Sequence, residues 1–565
     1  MHSNTSRRTF VKGLAAGGLL GGLGLWRTPV WAVTSPGEPQ VLAGTDFDLL
    51  IGETPVNITG NPRTAMTING GIPGPLLRWR EGDTVTLRVK NKLNADTSIH
   101  WHGILLPANM DGVPGLSFHG IEPGGMYVYQ FKVRQNGTYW YHSHSGLQEQ
   151  SGVYGPLVID AKEPEPFQYD RDYVVMLTDW TDEDAVDLMK TLKKQSDYYN
   201  YNKPTVGDFI HDVSEKGWGS TVADRKMWAE MKMNPTDLAD VSGATYTYLM
   251  NGQAPNSNWT GVFRPGEKLR LRFINGSAMT YFDVRIPGLK MTVVAADGLH
   301  VKPVSVDEFR IAVAETFDVI VEPTEAAYTL FAQSMDRTGF ARGTLAAKAG
   351  LSAPVPPLDP RPLVTMDDMG MGGMDHGSMA GMDHSAMAIP GMQSHPATEN
   401  NNPLVDMQAM TTAPKLDDPG LGLRNNGRRV LTYSDLRSTF EDPDGREPSR
   451  TIELHLTGHM EKFAWSFNGV KFSDAEPVRL KYGERVRVVL VNDTMMTHPI
   501  HLHGMWSDLE DENGEFMVRK HTIDMPPGSR RSYRVTADAL GRWAYHCHLL
   551  YHMEMGMFRE VRVEE

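Results

Sequence analysis

Ten of the 20 histidines in this chain lie in four short windows. These ten, with the only cysteine of the chain and one nearby methionine, are His100, His102, His142, His144, His498, His501, His503, His546, Cys547, His548, His552 and Met557. Imidazole binds copper, zinc, iron or nickel, and two histidines with one cysteine and a weak axial methionine are the ligands of a blue-copper electron-transfer site. The residue types therefore predict a protein that holds several copper ions and moves electrons through them.

The His-x-His spacing is typical of ligands that β-strands present. Residues i and i+2 of a strand point to one face, and the residue between them points to the other face. Cys547 is therefore expected to bind one metal site while His546 and His548 bind another on the opposite side. Buried histidines that only packed would each need a separate polar partner. Four clustered windows therefore favour metal binding over packing.

Two internal repeats indicate which elements position the windows. Gly82, Gly266 and Gly483 each precede an alternating strand. Counting 18 and 20 residues on from these glycines gives His100 and His102, then Val284 and Ile286, then His501 and His503. The motifs Pro123-Gly124 and Pro527-Gly528 lead at the same offsets to His142 and His144, and to His546 and His548. The repeats predict three similar β-domains. The outer two share an eight-histidine cluster, and the third alone holds a separate site.

Length and composition agree with this organisation. A chain of 565 residues is too long for one ordinary core and suits three domains. Abundant glycine and proline, with many short alternating runs, favour an all-β fold. The net charge of −14 argues against nucleic acid as a partner and is compatible with the attraction of cations.

The four ordered windows resemble the signature of the multicopper oxidases over nearly the whole mature chain. The resemblance implies cupredoxin-like Greek-key domains and four copper ions. It implies a type 1 copper at His498, Cys547, His552 and axial Met557, and a type 2 copper at His100 and His501. It implies a type 3 pair held by two sets of ligands, which are His102, His142 and His548, and His144, His503 and His546.

Within that family, the chain is most similar to the bacterial copper-resistance oxidases. The similarity rests on the segment 110–115, on the ending 548–557 and on a Met/His/Asp-rich insert. The implied reaction couples four one-electron oxidations of a substrate to the reduction of O2 to two waters, and it needs an acid that relays protons. Asp111 matches the family's acid, although Asp-Gly is also a strong turn signal. Related enzymes place a second acid where this chain has Leu550 or Met553, so that acid stays unassigned, with Glu554 the nearest carboxylate.

The expected order of domains follows from the repeats and from two insertions. It is a signal peptide at 1–32, a first cupredoxin domain at 45–165, a second without copper ligands at 170–350, a Met/His/Asp-rich linker at 351–425 and a third domain at 428–565. The second domain carries a helical insertion at 182–242. Residues 6–12 resemble a twin-arginine export signal cleaved after Ala32, which predicts a periplasmic protein. We expect a monomer without a membrane span in the mature chain.

The linker predicts accessory copper binding, because soft thioethers select Cu(I) and imidazole or carboxylate can serve Cu(II). Its candidate ligands are Met366, Met369, Met371, Met374, His376, Met379, Met382, His384, Met387 and Met392. The alternative is a flexible linker between domains. Six histidines outside the windows and the linker are interpreted as structural, and they are His119, His211, His300, His455, His459 and His521.

The predicted function is an exported oxidase that couples Cu(I) oxidation to O2 reduction and so protects against copper. A laccase-like oxidase of phenols is one alternative, and a periplasmic copper-sequestering protein with little turnover is another. A ferroxidase is less favoured, because the sequence does not locate carboxylates for Fe(II) near the type 1 site.

Overall fold

The computed structural model describes residues 40–371 and 392–565. The predicted signal peptide and most of the accessory copper ligands therefore lie outside the described residues. The described chain forms six β-sheets, which occur as three consecutive pairs.

The first pair of sheets is built from residues 41–160. Its strands are β1 (Val41–Ala43), β2 (Asp46–Val56), β3 (Arg63–Ile68), β4 (Leu76–Arg80), β5 (Thr84–Asn91), β6 (His100–His102), β7 (Met126–Lys132), β8 (Gly137–His142) and β9 (Tyr154–Asp160). One sheet has the order β1-β4-β9-β8-β6 and the other the order β3-β2-β5-β7.

The second pair uses residues 171–346. Its strands are β10 (Arg171–Trp180), β11 (Thr247–Met250), β12 (Trp259–Val262), β13 (Leu269–Asn275), β14 (Phe282–Arg285), β15 (Met291–Ala296), β16 (Leu299–Val306), β17 (Glu308–Ile311), β18 (Thr316–Val321), β19 (Ala327–Ser334) and β20 (Phe340–Ala346). The sheet orders are β11-β10-β13-β18-β15-β16 and β12-β20-β19-β14-β17.

The third pair uses residues 450–564 and repeats the second in its strand order. Its strands are β21 (Arg450–His459), β22 (Ala464–Phe467), β23 (Val478–Lys481), β24 (Arg485–Asn492), β25 (His498–Leu502), β26 (Ser507–Glu510), β27 (Phe516–Lys520), β28 (Thr522–Met525), β29 (Arg530–Thr536), β30 (Gly541–Cys547) and β31 (Phe558–Glu564). The orders are β22-β21-β24-β29-β26-β27 and β23-β31-β30-β25-β28.

Helices are few in the described residues, and three of them lie in the predicted insertion. They are α1 (Ala185–Lys194), α2 (Val206–Lys216), α3 (Trp218–Met231) and, near the end of the chain, α4 (Leu550–Glu554). The Asp184 side chain accepts hydrogen bonds from the Val186 and Asp187 N–H groups and so caps α1. Thr205 and Asp208 form a capping box on α2. Among the described residues, no helix has the length and apolar character to cross a bilayer. The prediction of an all-β fold with a helical insertion is confirmed.

The alternation that predicted the strands is set by burial. On β5, Val85, Leu87 and Val89 are fully buried, and Thr86 and Arg88 between them are partly exposed. On β13 both faces are buried, including the guanidinium groups of Arg270 and Arg272. Arg272 donates to Thr138 of β8 and pairs with Asp172, because this face of the middle sandwich packs on the first one. Buried charges of this kind persist only when they are paired.

Candidate metal centres

Strand pairing joins the first histidine window to the second and the third to the fourth. β6 lies antiparallel to β8 with His100 opposite His142, and β25 lies antiparallel to β30 with His501 opposite His546. Ring contacts then join the two sandwiches, since His100 stacks on His503 with ring centres 3.9 Å apart and His102 stacks on His501 at 3.8 Å. We call these eight residues the histidine cluster; they are His100, His102, His142, His144, His501, His503, His546 and His548.

The hydrogen bonds around the histidine cluster leave lone pairs pointing inwards. His503 Nδ1 lies 2.8 Å from Asp111 Oδ2, and His546 Nδ1 lies 2.9 Å from the Cys547 carbonyl oxygen. Since a carboxylate and a carbonyl only accept, each ring donates from Nδ1 and carries no proton on Nε2. Those two Nε2 atoms are 3.1 Å apart, and His144 Nε2 is 3.3 Å from His546 Nε2. Lone pairs at such distances are stabilised by a shared cation.

Protonation does not supply that cation near neutral pH. Burial holds the pKa of His503 well below its usual range and lowers the pKa of His546 to about 3. Five further ring nitrogens of the cluster are buried without a hydrogen-bond partner among the described residues, and they are His100 Nε2, His102 Nδ1, His142 Nε2, His501 Nε2 and His548 Nε2. An unsatisfied buried polar atom costs about 1–3 kcal/mol. Such a concentration of them fits metal ligands and does not fit packing.

The structure brings some predicted ligand sets together and leaves the division of others open. The ligand atoms of His144, His503 and His546 lie within 4.8 Å of one another. The rings of His102 and His142 each have their centres 4.9 Å from that of His548. The predicted type 2 pair, His100 and His501, has ring centres 5.8 Å apart. His100 also groups with His102 and His142, so the assignment of ligands to individual ions stays a prediction.

A second group of ligands, which we call the Cys547 centre, lies wholly within residues 498–557, on strands of the third pair of sheets and on α4. His498 Nδ1 and His552 Nδ1 are 3.1 Å apart, and Cys547 Sγ is 3.5 Å from the first and 3.9 Å from the second. β25 and β30 carry two of these ligands, and α4 carries His552. Met557 is fully buried beside them and its carbonyl accepts the Cys547 N–H at 3.1 Å. Burial raises the pKa of the Cys547 thiol, so a thiolate here requires a bound cation.

The two groups of ligands are joined through one peptide unit. The carbonyl of Cys547 accepts the hydrogen bond from His546 Nδ1, and His548 follows directly in the chain. Cys547 and His546 therefore belong to different groups of ligand atoms, and the binding of different metal ions by these groups stays a prediction. The covalent chain and this hydrogen bond form the short connection between the two groups.

Carboxylates border the cluster on its outer side. Asp111, the predicted relay acid, is 1% exposed, and its Oδ1 has no hydrogen-bond partner among the described residues. Gly112 has a φ of +84°, and a Cβ there would lie 1.8 Å from the Ile99 carbonyl oxygen, so the Asp-Gly turn needs its glycine. The turn also sets the Asp111 carbonyl 2.8 Å from His100 Nδ1. Asp111 is thus both a turn residue and a contact of two cluster histidines.

Sequence reasoning missed two acids. Glu149 Oε2 lies 2.6 Å from His142 Nδ1, and burial raises the pKa of Glu149 well above its usual range. Glu554, the carboxylate considered from sequence, is exposed on α4. Asp240, in the insertion, is 1% exposed, and its Oδ2 lies 2.7 Å from His552 Nε2. The expectation that no carboxylate could be located near the type 1 site is therefore corrected by a contact between residues 312 positions apart.

His521 also belongs beside the cluster, which sequence reasoning did not predict. Its Nδ1 is 3.2 Å from His102 Nε2, and its carbonyl accepts from His501 Nδ1 at 2.6 Å. The interpretation of His521 as purely structural leaves these contacts out. A single histidine beside a lysine gives no sequence signal for them.

The described part of the linker shows mixed surroundings for its methionines. Met369 is fully buried, and Met366 and Met371 are half-buried against the core. Met392 is 38% exposed. The other candidate ligands, Met374, His376, Met379, Met382, His384 and Met387, lie outside the described residues. Met369 is packed in the core, and the accessory copper role stays a prediction for all ten residues.

Comparison with known proteins gives the same result along the whole chain. Models described as multicopper oxidase match residues 51–164, 171–349 and 445–565. A copper resistance protein A homolog of Pseudomonas syringae pv. tomato is 80% identical, with 100% of both chains covered. Copper resistance protein A of Escherichia coli is 73% identical, with 99% of each covered. The crystal structure of Fet3p, a multicopper oxidase that functions in iron import, has a TM-score of 0.65 at 20% identity, covers 93% of this chain and 91% of its own, and supports the fold.

The cupredoxin-like sandwiches, the two groups of inward-facing ligands and these similarities identify an oxidase that uses copper as its cofactor. The chain belongs to the multicopper oxidase family.

Proposed function

We propose that this enzyme oxidises Cu(I) at the expense of O2 and so serves copper resistance in the periplasm. The observation that carries the choice of substrate is the covered outer edge of His552. His552 is fully buried, and Asp240 occupies the hydrogen-bonding position at its Nε2. An aromatic ring has no room to contact that nitrogen, whereas a small cation needs only a narrow path. The names of the relatives at 73% and 80% identity support the same physiological role.

The proposed copper sites use the predicted ligands. The Cys547 centre would hold a type 1 ion with Met557 as axial ligand, and the histidine cluster would hold a type 2 ion and a type 3 pair. Bound copper supplies one-electron transfer from the substrate and the four-electron reduction of O2 to water. The three domains at 45–165, 170–350 and 428–565 would then divide the work, with ligands only in the outer two.

Asp240 gives the Cys547 centre an electrostatic preference for cations. Its carboxylate accepts a hydrogen bond from His552 Nε2–H. This bond fixes the ring with Nδ1 towards Cys547. A cation that approaches this edge meets a negative group bonded directly to a ligand. The carboxylate therefore both orients His552 and marks the place where an electron donor would bind.

A cavity between the second and third pairs of sheets lies near this region. Its lining includes the thioethers of Met335 and Met495 and the carboxylate of Asp368. Leu238, two residues before Asp240, also lines it, and so does Thr497, which directly precedes His498. Thioether ligands favour Cu(I) over other cations. The basic residues of the lining are partly neutralised, since Arg424 pairs with Asp368 at 2.6 Å.

Asp111 is proposed to move protons at the cluster. Its Oδ2 accepts a hydrogen bond from His503 Nδ1–H, while its Oδ1 receives no hydrogen bond among the described residues and lies 3.3 Å from His100 Nδ1. The free oxygen can take a proton while the other keeps the imidazole in place. Glu149 orients His142 in the same way, through a 2.6 Å contact with Nδ1.

The test is O2 consumption by the copper-loaded mature protein, supplied separately with buffered Cu(I) and with dimethoxyphenol. We expect fast uptake with Cu(I) and weak uptake with the phenol. Asp240→Asn should lower kcat/KM for Cu(I) about 10–100-fold, because the outer partner of a metal ligand loses its negative charge. Asp237→Asn is the matched control, since Asp237 is a buried acid of the same insertion for which no contact with His552 is seen among the described residues.

The reverse preference would make the protein a laccase whose linker has another purpose. No uptake with either substrate, together with copper far above four ions per chain, would favour sequestration. Mass spectrometry of the periplasmic fraction should find a mature chain that begins at Val33, and a cytoplasmic uncleaved chain would refute twin-arginine export. Light scattering should give the mass of a monomer.

A further inference from the structure

A separate group of two histidines and two acids lies where the linker meets the third pair of sheets. It consists of His395, Glu399, His455 and Asp493, which we call the mixed quartet. His395 precedes a short 3-10 helix that ends at Glu399, His455 lies on β21, and Asp493 follows β24. The side chain of His395 is 13% exposed and the other three are at most 1% exposed. The mixed quartet is therefore buried, with one ligand edge near solvent.

The ligand atoms of the mixed quartet converge. His395 Nδ1 is 3.2 Å from Asp493 Oδ2 and 3.4 Å from Glu399 Oε2. His455 Nδ1 is 2.6 Å from Asp493 Oδ2 and 3.7 Å from Glu399 Oε1. A tetrahedral ion that lies about 2.0–2.1 Å from each ligand separates the ligand atoms by about 3.3 Å. The four measured distances, which involve both oxygens of Glu399, bracket that value, so the four side chains lie at the spacing of a tetrahedral site.

An outer ring of hydrogen bonds aims each ligand inwards. His395 Nε2 lies 3.1 Å from the Ala409 carbonyl oxygen, and His455 Nε2 lies 3.2 Å from Glu453 Oε1. The Ala409 N–H donates to Asp493 Oδ1 at 2.8 Å, and Gln408 Nε2 donates to Glu399 Oε2 at 3.0 Å. Metal-binding histidines and carboxylates are held by partners of this kind in their outer shell.

The arrangement of protons makes the centre of the mixed quartet attractive to a cation. Each imidazole donates from Nε2 to an oxygen, so a neutral ring directs the Nδ1 lone pair at carboxylates, which only accept. Glu399 Oε1 is buried and receives no hydrogen bond among the described residues. Two imidazole Nδ1 atoms and two buried carboxylates therefore face one point, where a cation is stabilised.

We propose that His395, Glu399, His455 and Asp493 form an additional metal site that binds a divalent ion of the Zn(II)/Cu(II) class. Two imidazoles and two carboxylates suit these borderline ions, and the set lacks the thioethers that would select Cu(I). The site fastens the end of the linker to β21 and β24. It is distinct from the histidine cluster and from the Cys547 centre, and it holds whether the substrate is Cu(I) or a phenol.

The experiment measures bound metal in the copper-loaded full-length mature protein after equilibration with Zn²⁺ and desalting. We expect His455→Gln and Glu399→Gln each to bind one zinc ion fewer per chain than the wild type. His459→Gln is the matched control, because His459 lies on the same strand, four residues on, and should leave the count unchanged. Co²⁺ in place of Zn²⁺ should give the visible bands of a tetrahedral N2O2 site in the wild type, absent from both variants.

Equal zinc counts in the wild type and Glu399→Gln, with no cobalt bands, would overturn the proposal. The mixed quartet would then be an ion cluster in which protons replace the metal. Glu399→Gln keeps the size of the side chain, so it decides the question if His455→Gln does not fold. The blue absorption of the Cys547 centre reports folding in every variant. Addition of Zn²⁺ should raise the Tm of the wild type and not that of Glu399→Gln.

Discussion

The histidine cluster and the Cys547 centre share two strands but have different surroundings. The cluster is assembled from two sandwiches, and its outer contacts come from Asp111, Glu149 and backbone carbonyls of those same sandwiches. The Cys547 centre is assembled from one sandwich, and its outer contact, Asp240, comes from the insertion of the middle domain. The outer partners of the cluster therefore come from the domains that build it, while the Cys547 centre has an outer partner from another domain. Substitution of Asp240 should therefore affect electron entry at the Cys547 centre, and substitution of Asp111 or Glu149 should affect O2 reduction at the cluster.

The change with the largest expected effect is Cys547→Ser. A serine hydroxyl is a hard, weakly acidic ligand, so the type 1 ion loses its thiolate and the connection to His546 and His548 loses its sulfur end. We expect no blue absorption and turnover below detection with either Cu(I) or dimethoxyphenol. Absorption spectroscopy and O2 uptake measure both. A blue and active variant would show that the Cys547 centre is not the entry point for electrons.

His503→Ala should separate the two groups of ligands. It removes the ring that stacks on His100 and leaves Asp111 Oδ2 without the hydrogen bond that it accepts from His503. We expect O2 uptake to fall by at least about 100-fold, since ligand and acid are both disturbed. The blue absorption should persist and should still bleach when Cu(I) is added under anaerobic conditions. Normal O2 uptake would contradict a shared cluster between the two sandwiches.

The contrast between the two groups also shows what sequence patterns convey. The 18- and 20-residue offsets located all eight cluster histidines, because a His-x-His strand and its antiparallel neighbour keep their register within each domain. Alternation predicted the strands for the same local reason. Asp240 was not predictable, since its contact with His552 depends on how a helical insertion folds over another domain. The contacts of Glu149 and His521 were not predicted either, because a single acid or histidine carries no periodicity.

Glu149→Gln tests the enclosed side of the cluster with a moderate expected effect. The amide keeps the size of the side chain, but it replaces a carboxyl that contacts His142 Nδ1 at 2.6 Å. We expect kcat for O2 reduction to fall about 10-fold, at the low end for loss of an outer partner of a ligand. Steady-state O2 uptake gives kcat, and the blue absorption should not change. Gln148→Glu is unsuitable as a control because Gln148 bonds Thr97 and Ser143, so Glu554→Gln, on the exposed side of α4, serves instead. An equal loss of kcat in both variants would show that Glu149 has no specific role at the cluster.

The smallest expected effect comes from the linker, which lies outside both groups of ligands. Deletion of residues 374–387 removes Met374, His376, Met379, Met382, His384 and Met387 while it spares the buried Met369 and the His395 of the mixed quartet. We expect the rate with low, buffered Cu(I) to fall severalfold and the rate with dimethoxyphenol to stay unchanged, because thioethers gather Cu(I) and do not interact with a phenol. Parallel O2-uptake assays with the two substrates measure the ratio. Equal rates in the wild type and the deletion would reduce this segment to a connection between domains, and an equal loss with both substrates would mean that the deletion disturbs the covering of the Cys547 centre rather than the supply of copper.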